Sequence, residues 1–414
     1  MNMKKTAWGL MAAVALGLAA QSAQAQVKFG ICYDLSKAYT FISPQVVQAA
    51  KDYADLINLK GGLEGQKIEI VVQDHGNEPQ RGIECYEKLK REGVMIFDTL
   101  STPVSRAVLP RVMADQNILL QSFVGRGDAI DGDVFKWVFP IGPTYWGQMA
   151  NNVQFIKNKS NGNLKGVKVG FIYPDYAFGQ EPIPILKTLA AKEGFDLQLF
   201  PNPLPGRDQA AVWTQIRRFN PDWVITWNLS AMHVAAAREM KRNGVAMDKV
   251  ISVNWFNEVD IANIGADEAK GLKRGTNVSG GTDHPLIQQI IKELYEKGKG
   301  NGDRKNLNDI YYNTGLAIYS TAFEGVRLAI KNGGLPLTPA KVKAGMESLR
   351  NFDANGLIAP VTVTPKDHGG GGKTRIDMWD GKKWVPQSDW ISAYTDVVDQ
   401  IVKEQSAEFA KAAK

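Results

Sequence analysis

Apolar residues along this chain fall into short continuous runs, separated by segments in which they recur every three or four positions. That alternation is the pattern of strands followed by amphipathic helices. From residue 27 it predicts a strand (27–33), a helix (43–59), a strand (68–73), a helix (78–91), a strand (94–97), a further helix and a strand (118–121). The helix at 43–59 shows its stripe clearly, with Val46, Val47, Ala50, Tyr53, Ala54 and Ile57 on one face, and it stops at Gly61-Gly62. A second series starts after Pro143: helix 145–157, strand 167–173, helix 181–193, strand 195–200, helix 208–219, strand 223–227, helix 231–243 and strand 250–253. Strands alternating with helices of this length call for α/β architecture with doubly wound parallel sheets, one for each series. Helical patterns at 285–297, 310–331 and 339–349 then need a sheet to cover, and the first is expected to receive them. After Asn355 come short strands, with 376–379 and 384–386 joined across Asp380-Gly381 as a hairpin, and a closing helix over 389–411.

The turn between the strand at 94–97 and the next helix reads Ser101-Thr102-Pro103. A hydroxyl residue at the cap and Pro in the first helical turn leave backbone N–H groups and two hydroxyls aimed at one spot, which suits an anion or, more plainly, a cap. In an open parallel sheet, ligand crevices lie off the carboxyl ends of the strands, so the 122–126 turn is expected on the same rim. Aromatic residues recur in just such turns: Tyr39 and Phe41, Tyr145 and Trp146, Tyr176 and Phe178, then Trp227, Trp255 and Phe256. Turns are usually polar, so this recurrence points to a flat apolar ligand, with core packing as the plainer reading of any single ring.

Residues 1–25 carry Lys4 and Lys5, an apolar run over 7–20 and the closing Ala23-Gln24-Ala25, which together read as a cleavable export signal. The run is too short for a membrane span. About 390 residues would remain, enough for about two domains, and loss of the two lysines would take the formal charge from +6 to +4. Basic residues are dispersed, so nucleic acid is not indicated. Cys32 falls in the first strand and Cys85 on the helix after the second; in a 2-1-3 strand order the crossover lays that helix over the first strand, which leaves open a disulfide or two buried thiols. His368 and the four glycines after it resemble both a P-loop and an esterase turn, but no helix follows and no G-x-S-x-G exists, so the segment reads as a flexible hairpin loop. His75, His233, His284 and His368 are scattered without metal-ligand spacing, and no nucleophile, base and orienter stand out, so neither a metal nor a cofactor is expected.

Several segments together carry a family resemblance: I-N-L-K-G-G-L-E-G at 57–65, Q-D-H-G-N-E-P at 73–79, L-S-T at 100–102, Y-A-F-G at 176–179 and A-N-I-G-A at 262–266. On these the chain resembles periplasmic solute-binding proteins of ABC importers, in the leucine/isoleucine/valine-binding branch, over nearly all of its exported length. The resemblance implies the type I fold, two doubly wound parallel-sheet lobes joined by three crossovers near Tyr145, Gly280 and Asn355. The lobes would comprise 26–144 plus 281–355 and 145–280 plus 356–414. It implies a monomeric periplasmic receptor that closes on a small carboxylate and hands it to an inner-membrane permease. By matching position, Ser101 and Thr102 with Ser122 and Arg126 would take the carboxylate and Phe178 and Trp227 would supply aromatic contacts, with Tyr39, Phe41 and Tyr145 of the aromatic turns lining the same cleft. Where the family places an acid for an α-ammonium, this chain has Asn254 and Trp255, neither acidic. An amine-free, aromatic acid therefore suits it better than a branched-chain amino acid, unless Glu258 swings in. An exported enzyme on the same fold is the rival reading.

Overall fold

The computed structural model describes residues 26–412, and the 1–25 segment read as an export signal lies outside the described residues. Strand β1 (Val27–Tyr33) is buried along nearly its whole length, as the interior strand of a parallel sheet must be. It is followed by α1 (Ser43–Leu59), β2 (Ile68–Asp74), α2 (Pro79–Arg91), β3 (Ile96–Asp98), α3 (Thr102–Asp115), β4 (Ile118–Leu120) and β5 (Val138–Phe139). These strands form one parallel sheet in the order β2-β1-β3-β4-β5. In that order α2 crosses β1, and Cys32 and Cys85 are joined as a disulfide with Cα atoms 6.1 Å apart.

The chain then enters α4 (Tyr145–Lys159) and a second α/β series: β6 (Lys168–Pro174), α5 (Ala177–Gln180), α6 (Ile183–Glu193), β7 (Asp196–Asn202), α7 (Ala210–Phe219), β8 (Trp223–Thr226), α8 (Ala231–Asn243), β9 (Val250–Ser252), α9 (Glu258–Ile264) and β10 (Lys273–Thr276). From there it returns to the first sheet as α10 (Pro285–Glu293), α11 (Ile310–Gly333) and α12 (Pro339–Met346). Helix α11 lies against α1 so closely that a Cβ on Gly315 would stand 2.7 Å from the Ala49 Cβ, and Phe323 stacks on Tyr53 at 5.4 Å. The expectation that these late helices cover the first sheet is met.

Strands β11 (Arg375–Trp379) and β12 (Trp384–Pro386) complete the second sheet, in the order β12-β11-β10-β9-β8-β6-β7, before α13 (Thr395–Ala412). The hairpin expected over 376–379 and 384–386 is present. The β11–β12 hairpin is antiparallel, because a short turn cannot return a strand in parallel, and β11 also runs antiparallel to β10. The glycine-rich segment also departs from its reading as a flexible hairpin loop. His368 is fully buried, stacked on Phe139 at 4.2 Å, with Nδ1 against the Val138 carbonyl at 2.8 Å and Nε2 against Glu347 at 3.1 Å. The two α/β lobes are thus tied by segments passing between the sheets, two of which pair with each other where Val278 bridges Ile358.

Candidate functional site

The carboxyl ends of the two sheets face one another across a narrow cavity. Its wall brings together six residues expected from the sequence, Tyr39, Phe41, Thr102, Tyr145, Phe178 and Trp255. It adds Leu100, Phe123 and Val124 from the two loops expected on this rim, and Ile42 and Leu229, which pattern reading had no reason to separate from core.

Ser101 and Thr102 part company at the start of α3. The Ser101 hydroxyl donates to Asn77 Oδ1 at 2.7 Å and accepts from Val104 N at 3.4 Å, so it caps the helix. Thr102 faces the cavity, its Oγ1 accepting from Gly125 N at 2.9 Å while the hydroxyl proton stays available to donate.

The aromatic part of the wall is held by hydrogen bonds at its polar tips. Tyr145 donates to the Phe123 carbonyl at 2.6 Å and accepts from Trp255 Nε1 at 2.8 Å, while the Tyr311 hydroxyl donates to the Trp255 carbonyl. Tyr39 and Tyr176, from opposite lobes, meet hydroxyl to hydroxyl at 3.3 Å. Burial holds Tyr39 and Tyr145 well above the usual tyrosine range and pushes Tyr176 up to about 12, so all three are neutral donors at physiological pH. Trp227 stands behind the wall, fully buried, edge-on to Tyr145 at 5.3 Å, and supports the rings without lining the cavity.

Four sequence candidates lie elsewhere. Ser122 lines a neighbouring chamber. The Arg126 guanidinium turns away to Asp128 at 2.9 Å and lies over Phe135 and Phe409 at 4.8 and 4.3 Å, because α13 offers it an aromatic face there. What occupies the Arg126 loop is a carboxylate of the protein itself: Glu181 Oε1 accepts from Arg126 N at 2.6 Å and Gly127 N at 2.8 Å, and Oε2 pairs with Arg106. Glu181 comes from the opposite lobe, and nothing in its sequence context flagged it. Asn254 is buried at the end of β9 with its amide unpartnered, outside the cavity wall. Glu258 has not swung in either; it accepts from Ile310 N at 3.2 Å and faces Arg274 at 3.4 Å. No charged side chain lines the cavity.

One grouping has the geometry of a hydrolase triad. Ser252 Oγ lies 3.1 Å from His233 Nε2, and His233 Nδ1 lies 2.8 Å from Asp260 Oδ2. All three are buried, none lines the cavity, and Asp260 also closes the capping box of α9. A nucleophile needs a substrate within reach, and this serine has core around it. Among the described residues no cluster of three or more His, Cys, Asp or Glu is placed to hold a metal, and no helix is long and apolar enough to cross a membrane.

Against known proteins, a family model described as "Periplasmic binding protein" matches residues 26–383. The chain is similar to Leu/Ile/Val-binding protein homolog 3 of Brucella melitensis, with 21% identity over 279 residues, 67% of this chain and 74% of that one. Among solved structures, a Pseudomonas fluorescens group protein described as an ABC transporter permease superposes with a TM-score of 0.87 at 32% identity, covering 94% of this chain and 97% of that one. A Thermus thermophilus branched-chain amino acid ABC transporter protein with bound valine superposes with a TM-score of 0.79 at 17% identity, over 91% and 99% of the two chains.

Proposed function

This chain belongs to the periplasmic binding protein family, and we propose that the ligand it captures is an amine-free, aromatic carboxylic acid. It is a periplasmic, non-catalytic substrate-binding protein of an ABC importer, related to the Leu/Ile/Val-binding proteins, and its partners are a small molecule and an inner-membrane permease. The observation that carries the finer reading is the wall itself: six aromatic rings, from Tyr39, Phe41, Phe123, Tyr145, Phe178 and Trp255, with no carboxylate among the lining residues. An α-ammonium there would gain about 0.5–2 kcal/mol from an indole face, against several kcal/mol for burying an unpaired cation. Glu258, the one acid near enough in sequence, is engaged with Ile310 and Arg274. The Thr102 hydroxyl would meet the acid group of the ligand. The lobes that close on it are taken as 26–144 plus 281–355 and 145–280 plus 356–414, delivered across the inner membrane by the 1–25 signal.

A thermal-shift panel of leucine, valine, benzoate and cinnamate at equal concentration tests this, since a ligand of the folded state raises the melting temperature. Benzoate or cinnamate should stabilise and the amino acids should not. The reverse pattern returns the protein to the amino-acid receptors.

A further inference from the structure

Phe123 has two faces. Its backbone stands at φ 60, a left-handed conformation costly for an aromatic residue, and the Tyr145 hydroxyl holds its carbonyl. The ring meets Trp255 edge-on at 6.3 Å in front. Behind, it forms part of the wall of a second narrow chamber, so the two spaces share this residue as a partition. Gly142, itself at φ 105, keeps the partition in place: a Cβ there would come 3.1 Å from Phe123 Cε1.

The rear chamber lies where the chain passes between the lobes, walled by Leu120, Ile141, Ala317, Ala322, Met346 and Val361. Ser122, Asn277, Thr321 and Lys373 interrupt this apolar lining. Asn277, 3% exposed, carries an amide Nδ2 without a hydrogen-bond partner, and Lys373, an exposed residue, adds a cation to the rim. A buried N–H donor without an acceptor costs about 1–3 kcal/mol. In an apolar chamber beside a ligand cavity, that cost is recovered when a ligand supplies the acceptor.

We propose that the chamber behind Phe123 is a second compartment of the ligand site, and that the substrate is an elongated, largely apolar acid. Its aromatic head lies in front of Phe123, and its tail passes the ring and presents an oxygen to Asn277 Nδ2. This rests on the reading of the front cavity as an aromatic-acid site and extends it from a compact to a long ligand. Phe123 is then the residue that sets ligand length, by turning aside for the tail.

Calorimetric titration with benzoate, 4-octylbenzoate and 4-(8-hydroxyoctyl)benzoate tests the proposal. The hydroxyoctyl acid should bind at least tenfold tighter than benzoate. Asn277→Leu should bring it level with the octyl acid. Ala317→Leu and Ala322→Leu, which narrow the rear chamber, should remove the advantage of both long acids and leave benzoate affinity within twofold. Benzoate binding with no gain from either tail overturns the second compartment alone, as does a gain that survives in folded, narrowed variants. No binding by any of the three overturns the front-cavity reading and this one together. The wild-type comparison needs no variant to fold.

Discussion

Ser101 and Thr102 are adjacent hydroxyl residues that the fold assigns to different tasks. Ser101→Ala removes a helix cap and should cost about 1 kcal/mol of stability in urea unfolding, leaving ligand affinity near wild type. Thr102→Ala removes a donor from the cavity, and a hydrogen bond to a charged group is worth about 1.5–3 kcal/mol, so calorimetry should show at least tenfold weaker binding of the proposed acid. Equal losses of affinity in the two variants would count against this division. Asp309 is a second residue with a readable consequence. Burial, and then the neighbouring Glu258, raises its pKa from 3.8 to about 7 while its carboxylate caps Tyr311 N at 2.8 Å. The native state therefore binds this proton more tightly than the unfolded chain. The stability it contributes is complete below about pH 4 and is lost as pH rises through about 7. Asp309→Asn stays neutral and can still cap, so its melting temperature relative to wild type should climb between pH 4 and pH 8. A difference that does not change with pH would refute the shift. The Asp309 shift was not visible in the sequence, because Asp309 meets Glu258 only after the 50 intervening residues have folded.

At the scale of elements, the 181–182 connection between α5 and α6 reaches across the cleft. Glu181, on the second lobe, is held by Arg106 on α3 and by two backbone N–H groups of the loop after β4. These bonds exist only while the lobes are together. Glu181→Ala should favour the open form and weaken ligand binding by about tenfold, since a bond made in only one state shifts the balance by its own free energy. Unchanged affinity would make Glu181 a local packing residue only. Elements with a strong period were legible: the helix expected at 231–243 is α8, Ala231–Asn243. Strand β10 was not, because Lys273-Arg274-Gly275-Thr276 carries no apolar signal. It is a strand because its neighbours make it one, with Arg274 fully buried under Trp384 at 3.9 Å and bonded to the Phe256 carbonyl at 2.7 Å. Strand β5 is two residues long and α9 seven, too short for any period to show.

For the whole molecule, the cavity is narrow and its walls come from both lobes, so a ligand enters only when they part. Small-angle scattering should therefore show a smaller radius of gyration when the protein is saturated with its ligand than without it. An unchanged profile at saturation would exclude closure as the mode of capture. The α/β alternation and the turn at Ser101-Thr102 were determined by sequence, because strand and helix periods and cap chemistry act over a few residues. So were the aromatic turns, five of whose rings line the cavity. Only the tertiary structure decided that Arg126 turns from the cleft, that Glu181 takes the N–H groups of the Arg126 loop, and that Phe123 divides two chambers. The physical reason is common to all three. Each depends on a partner brought in from a distant part of the chain, Phe409 for Arg126, Arg106 for Glu181 and Trp255 for Phe123, and no local pattern records which distant partner a side chain will meet.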